Sequence, residues 1–180
     1  MKTLDEIGVK HGTDKSSWHH HYLQLYELLF SRWRFSPIRI LEIGVQFGHS
    51  LKTWQEYFVS ASIIGIDSVD NGIDLDLDGI QIAIGDAYSR EMFDRLYGQE
   101  FHIIIDDGSH DPGHQRWFIE HYFELLTDDG ILIVEDVLSP DTIGMLAKAF
   151  PKDFCYVAVD MTEGNSTVDS RLFIAWHITK

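Results

Sequence analysis

The 180-residue sequence contains one cysteine, four prolines and no long hydrophobic run. The lone Cys155 cannot form an intrachain disulfide, and its apolar neighbours predict a small residue of the core. No segment approaches the roughly 20 apolar residues that a membrane-spanning helix needs, and residues 1–10 are too polar for a signal peptide. These absences together predict a cytoplasmic protein without a membrane partner.

Basic residues are also scarce in this chain. It has 14 Lys and Arg against 29 Asp and Glu, which gives a net charge of −15. A surface this acidic repels phosphate backbones, and no run of basic residues offsets the repulsion. The apolar fraction of 44% is that of a globular protein. We therefore expect a small-molecule substrate and no nucleic acid partner.

Short β-branched runs alternate with segments of helical spacing along the chain. Five of these runs end in glycine or an acid and are apolar on both faces, as are strands that helices cover on each side. They span residues 38–44, 62–67, 79–86, 101–108 and 130–136. The alternation predicts a parallel sheet built from crossover connections.

Two further strand-like runs, Phe154–Asp160 and 171–178, are joined by a connection (163–169) too short for a crossover helix. They predict an antiparallel pair at one edge of the sheet. The prediction is one α/β domain over residues 1–180, with a Rossmann-like, seven-stranded, mostly parallel sheet, an antiparallel C-terminal strand and helices on both faces. Residues 1–36 are expected to form a helical cap over the core of residues 37–180.

The first predicted strand leads into a glycine-containing loop, Glu42-Ile-Gly44-Val-Gln46-Phe-Gly48-His-Ser50. Gly44 and Gly48 permit a tight strand-to-helix turn and a close approach of the backbone to a ligand. Gln46 stands where a dinucleotide-binding motif has its middle glycine, which weakens the case for a pyrophosphate cradle. A purely structural role for these glycines stays open.

Asp67 and Asp86 follow the second and third predicted strands. An acid about 20 residues beyond a glycine loop usually accepts hydrogen bonds from ribose hydroxyls. Each acid alone would also fit the N-cap of a helix. The loop and both acids together, at the ends of three successive strands, predict a cofactor that contains adenosine.

The fourth and fifth predicted strands end in acids. Asp106, Asp107 and, three residues on, His110 follow one strand, and Glu135 and Asp136 follow the other. If these strands are neighbours, their ends lie about 5 Å apart, and such a carboxylate cluster calls for a cation. Oxygen ligands favour Mg²⁺, Mn²⁺ or Ca²⁺, and His110 is the best placed general base. The alternative is that the acids only cap the following helices.

These motifs resemble those of a known family. The loop at 42–50 is similar to the first motif of class I S-adenosylmethionine (SAM) methyltransferases. The Asp-Asp-Gly-Ser-His and Val-Glu-Asp segments resemble the metal-dependent O-methyltransferases that modify macrolide sugars. The segment His11-Gly-Thr-Asp-Lys15, with Tyr22 and Tyr26 after it, resembles the N-terminal signature of the same family.

The resemblance implies a cofactor, a metal and a set of site residues. It implies SAM as the cofactor and a divalent metal, Mg²⁺ above all. Its cofactor-binding positions are Asp14, Lys15, Tyr22, Glu42, Gly44, Gly48, Ser50, Asp67, Asp86 and Asp106. Its metal ligands are Asp107 and Asp136, with Glu135 as a third, and His110 is its general base.

The function that follows is methyl transfer from SAM to a hydroxyl of a small molecule, such as a sugar or a glycosylated natural product. Three alternatives stay open. A nicotinamide-dependent oxidoreductase would leave the Asp107 and Asp136 cluster unexplained, a non-catalytic SAM- or metal-binding protein would not turn over, and an N- or C-methyltransferase would not need metal. Aromatic residues in the amphipathic stretch 18–33 suggest a homo-oligomer.

Overall fold

The computed structural model describes residues 1–70, 79–152, 154–163 and 169–178, which form a seven-stranded sheet in the order β3-β2-β1-β4-β5-β7-β6. The strands are β1 (Pro37–Ile43), β2 (Ser60–Asp67), β3 (Ile80–Ile84), β4 (Phe101–Asp106), β5 (Leu126–Val134), β6 (Phe154–Asp160) and β7 (Arg171–His177). Strands β1 to β5 pair in parallel, and β7 lies antiparallel to both β5 and β6. The predicted sheet is confirmed. Most of the predicted connection at 163–169 lies outside the described residues.

In the described residues, six α-helices connect the strands or precede the sheet. They are α1 (Leu4–His11), α2 (Tyr22–Phe30), α3 (His49–Tyr57), α4 (Arg90–Leu96), α5 (Pro112–Tyr122) and α6 (Pro140–Ala149), with short 3-10 turns at Ser31–Trp33 and Phe123–Leu125. The amphipathic stretch 18–33 forms a helix only from Tyr22 onwards, because His21 has a positive φ of 63°. Within the described ranges, no helix is long and apolar enough to cross a bilayer.

Helix α1 lies within the segment 1–36 that the sequence analysis expects to be helical, and its ends, which that analysis does not specify, have ordinary causes. Thr3 and Glu6 form a capping box at its start, and Gly12 adopts the left-handed conformation (φ 79°) after its last residue. Leu4 and Ile7 are buried on its inner face. The helix is therefore a packed element of the domain.

The apolar side chains of the sheet point alternately to its two faces and form two cores. On one face Ile104 packs with residues of α4, α5 and α6, such as Phe93 and Phe118. On the other face Ile103 and Ile105 pack with residues of α1, α2 and α3, of which Trp54 is the largest. Each such buried side chain contributes roughly 1.5–3 kcal/mol. Helices thus cover both faces of the sheet, as predicted.

The N-terminal segment 1–36 packs as part of the second core. Tyr22, Tyr26, Phe30 and Trp33 are buried there, whereas Trp18 is 57% exposed. The aromatic residues of 18–33 were the basis for expecting an oligomer, but four of these five residues are buried in the domain. The expectation of a homo-oligomer now depends on Trp18.

The prediction of a core position for Cys155 is wrong. Cys155 is exposed because β6 is the outermost strand of the sheet and its central residues are not covered. An apolar run alone did not reveal that this strand lies at an edge.

Gly44 is required by the close approach of two loops. Its φ is +87°, and a Cβ at this position would overlap the backbone carbonyl of Asp107. We predict that Gly44→Ala lowers the free energy of unfolding by several kcal/mol more than Gly98→Ala. Gly98 has a similar φ of +82° but has nothing within 4 Å of an added Cβ, so it reports the left-handed strain alone, of order 1–2 kcal/mol. Urea unfolding of both variants measures the difference, and equal losses would contradict the role of the loop contact.

Candidate active site

A cleft of about 600 Å³ opens at the carboxyl ends of the parallel strands. This is the position where open parallel sheets bind ligands. Its walls come from the loops after β1 to β5, and the residues that line it include Asp14, Gly44, Gln46, Phe47, Asp67, Asp86, Tyr88, Asp107, His110, His114 and Asp136. The cleft therefore contains both the predicted cofactor wall and the predicted metal ligands.

Asp67 holds the glycine loop in place. Its Oδ2 accepts hydrogen bonds from the backbone N–H groups of Val45 (3.0 Å) and Gln46 (2.7 Å), and its Oδ1 accepts one from Val69 (3.0 Å). Gln46 itself has a positive φ of 49°. The loop geometry is thus fixed by this carboxylate, which keeps further lone pairs on the cleft wall.

Asp86 follows β3 and lines the same cleft as this loop. It is exposed at the cleft wall, and its Oδ1 accepts a hydrogen bond from the backbone N–H of Tyr88 at 2.9 Å. Asp67 and Asp86 therefore stand on neighbouring strand ends, as the sequence predicts for groups that contact an adenosine.

Asp106 and Asp107 point in different directions, as expected for consecutive residues at a strand end. Asp106 is only 2% exposed and lies outside the cleft lining. It accepts hydrogen bonds from the Tyr88 hydroxyl (2.7 Å) and the Gly108 N–H (3.3 Å). Its other oxygen has no hydrogen-bond partner within the described part of the chain, and burial raises its pKa to about 6. The structure therefore places Asp106 beneath the site, where it fixes Tyr88.

Asp107, His110 and Asp136 form a cluster in the cleft. His110 Nε2 lies 3.3 Å from Asp107 Oδ1 and 3.8 Å from Asp136 Oδ2, and one donor atom from each residue lies within 4.8 Å of the others. His110 and Asp136 both have positive φ values, 56° and 52°, which are uncommon for residues other than glycine. Two carboxylates and an imidazole at this spacing fit one divalent cation.

The charges of this cluster influence one another. The hydrogen bond to Asp107 raises the pKa of His110 above its usual value. Burial raises the pKa of Asp136, and the neighbouring Asp107 raises it further. Asp107 thus makes Asp136 costlier to ionise, which a bound cation would relieve.

Lys15 is buried among three acids behind this cluster. It is 1% exposed, and its ammonium contacts Asp107, Glu135 Oε2 (2.8 Å) and Glu42 Oε1 (3.6 Å). Burial alone would lower the pKa of Lys15, but Asp107, Glu135 and Glu42 together raise it well above its usual value. The acid cluster therefore already contains a cation supplied by the chain, which the sequence analysis did not foresee.

Two tyrosines of α2 donate hydrogen bonds to the two acids that follow β5. The hydroxyl of Tyr22 donates to Asp136 Oδ1 at 2.6 Å, and that of Tyr26 donates to Glu135 Oε1 at 2.8 Å. His20 stacks on Tyr22 and lies 3.8 Å from Asp136 Oδ1. The N-terminal segment thus orients the carboxylates that follow β5.

The structure brings together only part of the predicted site. Asp14, Gly44, Asp67 and Asp86 line the cleft with Asp107, His110 and Asp136. Lys15 and Ser50 line a neighbouring recess of about 180 Å³. Outside both linings lie Tyr22, Glu42, Gly48, Asp106 and Glu135.

The predicted residues outside both linings support the site from the interior of the protein. Glu42 is fully buried and accepts a hydrogen bond from Trp54 Nε1 at 2.6 Å. Gly48 adopts the left-handed conformation before α3. Glu135 is 1% exposed and is bonded to Lys15 and Tyr26 rather than directed into the cleft.

Sequence reasoning missed three residues of this region. Tyr88 lies in the cleft and stacks on His114. Tyr26 is noted above only as part of a motif, and His20, which is not named there, is 5% exposed. The sequence offered one signal, which is position: Tyr88 lies two residues after Asp86, and His20 lies two residues before Tyr22.

The seven-stranded sheet with β7 inserted antiparallel between β5 and β6, and a ligand cleft at its carboxyl edge, define a class I methyltransferase fold. A solved structure of the MycE methyltransferase from the mycinamycin biosynthetic pathway, in complex with Mg and SAH, superposes with a TM-score of 0.81. The superposition covers 98% of this chain and 55% of the MycE chain, at 23% sequence identity. Fibrillarin from Methanococcus jannaschii, a pre-rRNA processing protein, matches with a TM-score of 0.62 over 82% of this chain and 70% of its own, at 13% identity.

Sequence comparison identifies nearer relatives. The chain is 34% identical over 143 residues to the 8-demethyl-8-(2-methoxy-alpha-L-rhamnosyl)-tetracenomycin-C 3'-O-methyltransferase of Streptomyces olivaceus, with 74% of this chain and 36% of the relative covered. It is 31% identical over 160 residues to the mycinamicin VI 2''-O-methyltransferase of Micromonospora griseorubida, with 83% and 40% covered. No protein-family model matches the chain.

The chain is therefore a homologue of the sugar O-methyltransferases of macrolide and tetracenomycin biosynthesis. It spans about two fifths of the length of these relatives, 36–40%. The predicted resemblance to class I methyltransferases of this kind is confirmed.

The burial of Asp106 predicts a pH-dependent stability. Its pKa is about 6 in the folded protein against 3.8 in the unfolded chain, so the folded state binds more protons between these values and the unfolding free energy falls as pH rises through them. Asp106→Asn removes this titration. We expect the stability of the variant relative to the native chain to increase between pH 4 and pH 7 by on the order of 3 kcal/mol.

Urea unfolding at several pH values measures this difference. Asp128→Asn, at an exposed position of β5, controls for the loss of one surface carboxylate. A constant difference between Asp106→Asn and the native chain over this interval would show that the buried carboxyl does not titrate as argued.

Proposed function

We propose that the chain is the catalytic domain of a SAM-dependent O-methyltransferase that acts on a sugar hydroxyl of a small molecule with the help of a divalent cation. One observation carries the proposal: a single cleft holds the glycine loop with Asp67 and Asp86 on one side and the Asp107, His110 and Asp136 cluster on the other. The first group suits an adenosine-containing cofactor, and the second suits an acceptor hydroxyl.

The cofactor assignment to SAM rests on the relatives together with the loop. The solved structure of MycE holds SAH, the product form of SAM, and Mg. In this chain Gly44 lets the loop approach the Asp107 backbone at the cleft, and Asp67 and Asp86 offer acceptors to ribose hydroxyls and adenine. The missing middle glycine at Gln46 argues against a nicotinamide dinucleotide.

The residues that would hold a divalent cation are Asp107 and Asp136, whose carboxylate oxygens converge in the cleft beside His110. A cation there would bind an acceptor hydroxyl and lower its pKa. Tyr22 fixes Asp136 by donating to its Oδ1, so that Oδ2 stays directed towards His110. Orientation of a ligand by a second layer of hydrogen bonds is general for such sites.

His110 is the proposed general base. It is 33% exposed, reaches the cleft, and its Nε2 faces both carboxylates. Neutral imidazole accepts the hydroxyl proton, and the resulting imidazolium is stabilised by Asp107 at 3.3 Å. The same carboxylates would help to keep the acceptor oxygen and the methyl group in line, since positioning supplies much of the rate of such transfers.

The charge of the cleft favours a neutral acceptor. Among the described residues that line it are Asp14, Asp67, Asp86, Asp107 and Asp136 but no lysine or arginine. A phosphorylated acceptor or an RNA backbone would meet repulsion there. A neutral polyhydroxyl group, as in the sugars that the relatives are named for, fits this lining.

Calorimetric titration of SAH tests the proposal most directly. We expect SAH to bind to EDTA-treated protein and Mg²⁺ to give a separate binding heat, because the two groups of residues occupy different sides of the cleft. Turnover on a panel of rhamnosides and other glycosides then identifies the acceptor. Absence of SAH binding would contradict the SAM assignment, and SAH binding without turnover or a metal effect would favour a non-catalytic binding protein.

Variants of His110 test the base. His110→Ala is expected to lower kcat by 10²- to 10⁴-fold, while the Kd for SAH stays nearly unchanged. The reason is that the imidazole is required for proton transfer and does not belong to the residues proposed to bind adenosine. His177→Ala, at the far end of β7, is the control for loss of a histidine. A parallel loss of SAH binding and turnover in His110→Ala would instead assign His110 a structural role.

A further inference from the structure

Tyr88 contacts residues on both sides of the cleft. Its backbone N–H donates a hydrogen bond to Asp86 Oδ1 at 2.9 Å, on the side proposed to bind adenosine. Its hydroxyl donates to Asp106 Oδ1 at 2.7 Å and accepts from the Ser109 N–H at 3.2 Å. Asp106 ends β4, and Ser109 lies in the connecting segment 107–111 between β4 and α5. Tyr88 is thus bonded through its backbone to one side and through its side chain to the other.

The connecting segment depends on side chains for its conformation, because it contains neither helix nor strand. The Tyr88 hydroxyl packs against the Gly108 backbone, where an added Cβ would approach it to 2.3 Å. The Tyr88 ring stacks on His114, with the ring centroids 4.4 Å apart and the planes at 12°. His114 Nδ1 in turn lies 2.7 Å from Ser109 Oγ. The phenol and the imidazole thus hold the part of the segment that directly precedes His110.

Asp107, at the start of the connecting segment, is held independently of Tyr88. Its N–H donates to the Ile43 carbonyl of β1 at 2.9 Å, and its carboxylate contacts Lys15. His110 has a left-handed backbone (φ 56°), and such a conformation persists only where the surrounding structure fixes it. Loss of the Tyr88 hydroxyl would therefore release the part of the segment that carries the base and leave Asp107 in place.

We propose that Tyr88 is a positioning residue for the general base: its hydroxyl holds Gly108 and Ser109 and thereby fixes the imidazole of His110 in the cleft. The inference rests on the proposed role of His110. Burial and the neighbouring Asp106 raise the pKa of the Tyr88 hydroxyl, so that it stays a donor at neutral pH. Tyr88 contributes alignment, and a misplacement of about 1 Å can cost about a hundredfold in rate.

Nuclear magnetic resonance of Tyr88→Phe tests this positioning without any acceptor. The variant removes only the hydroxyl and keeps both the backbone N–H that bonds Asp86 and the stacking on His114. We expect the Ser109 amide to exchange with solvent at least about tenfold faster than in the native chain, because its acceptor is lost. The Kd for SAH should change by less than about threefold, because Asp86 keeps its hydrogen bond. An unchanged exchange rate at Ser109 would contradict the proposal.

Tyr122→Phe is the matched control for the loss of a tyrosine hydroxyl. Tyr122 is fully buried, and its hydroxyl donates to the Ala87 carbonyl at 2.8 Å instead of bonding the connecting segment. We expect this variant to leave the exchange rate of the Ser109 amide within about threefold of the native rate. Equal acceleration at Ser109 in both variants would indicate a general loss of stability and would overturn the proposal.

A double-mutant cycle in turnover tests whether Tyr88 acts through His110. With the glycoside that the panel identifies as acceptor, Tyr88→Phe should lower kcat by about 10- to 100-fold and change the acceptor KM by less than about threefold. In the His110→Ala background the same substitution should lower kcat by less than about threefold, because residues that act as a unit are not additive. Equal losses in both backgrounds would show that Tyr88 acts independently of His110, and the proposal would be wrong.

The outcomes separate this inference from the proposed function. If His110→Ala keeps the native kcat, the general base is wrongly assigned and the inference fails with it. If His110→Ala loses kcat but Tyr88→Phe does not, the base stands and only the role of Tyr88 is refuted. If Tyr88→Phe does not fold because Asp106 has lost its donor, the variant Tyr88→Phe/Asp106→Asn, compared with Asp106→Asn alone, provides the same readouts.

Discussion

The structure depends on one buried electrostatic constraint. Several carboxylates lie beneath a ligand cleft, and the folded state loses stability unless their removal from water is compensated. Removing an ionised group from water costs several kcal/mol unless a partner compensates for it. Lys15 provides that partner for Asp107, Glu135 and Glu42 at once. Its position explains how acids can be held ready at the carboxyl edge of the sheet in a chain with a net charge of −15.

The same constraint makes the N-terminal segment part of the candidate site. Lys15, Tyr22 and Tyr26 all belong to residues that precede the first strand, and each contacts an acid that follows β4 or β5. These contacts join parts of the chain that are 92 to 120 residues apart. A segment expected to form a cap thus packs beneath the acids of the site. Packing of α1 and α2 against the sheet and hydrogen bonding to the acids stabilise each other.

The sequence was sufficient for the sheet and for the edge at which the site lies, because apolar periodicity and the rule for parallel strands are both local patterns. It was not sufficient for the direction in which each acid points. Glu135 and Asp136 are adjacent, yet one is sealed against Lys15 and the other faces the cleft, since Asp136 adopts a positive φ beyond the strand end. Lys15 lies in an irregular stretch without periodicity, and Cys155 was misplaced because strand order at the sheet edge is a property of the whole fold.

The final consequence of this arrangement is strain in the backbone of three residues at the rim of the cleft. Gln46, His110 and Asp136 each hold a left-handed backbone at the cleft, at a cost of order 1–3 kcal/mol per residue. Each is fixed by a neighbour: Asp67 bonds the N–H of Gln46, Asp107 contacts His110, and Tyr22 bonds Asp136. Contacts that fix these strained residues before a ligand arrives spare the ligand the free energy of ordering them. A rim organised in this way is suited to a reaction whose rate depends mainly on alignment, which is the case for methyl transfer between two bound molecules.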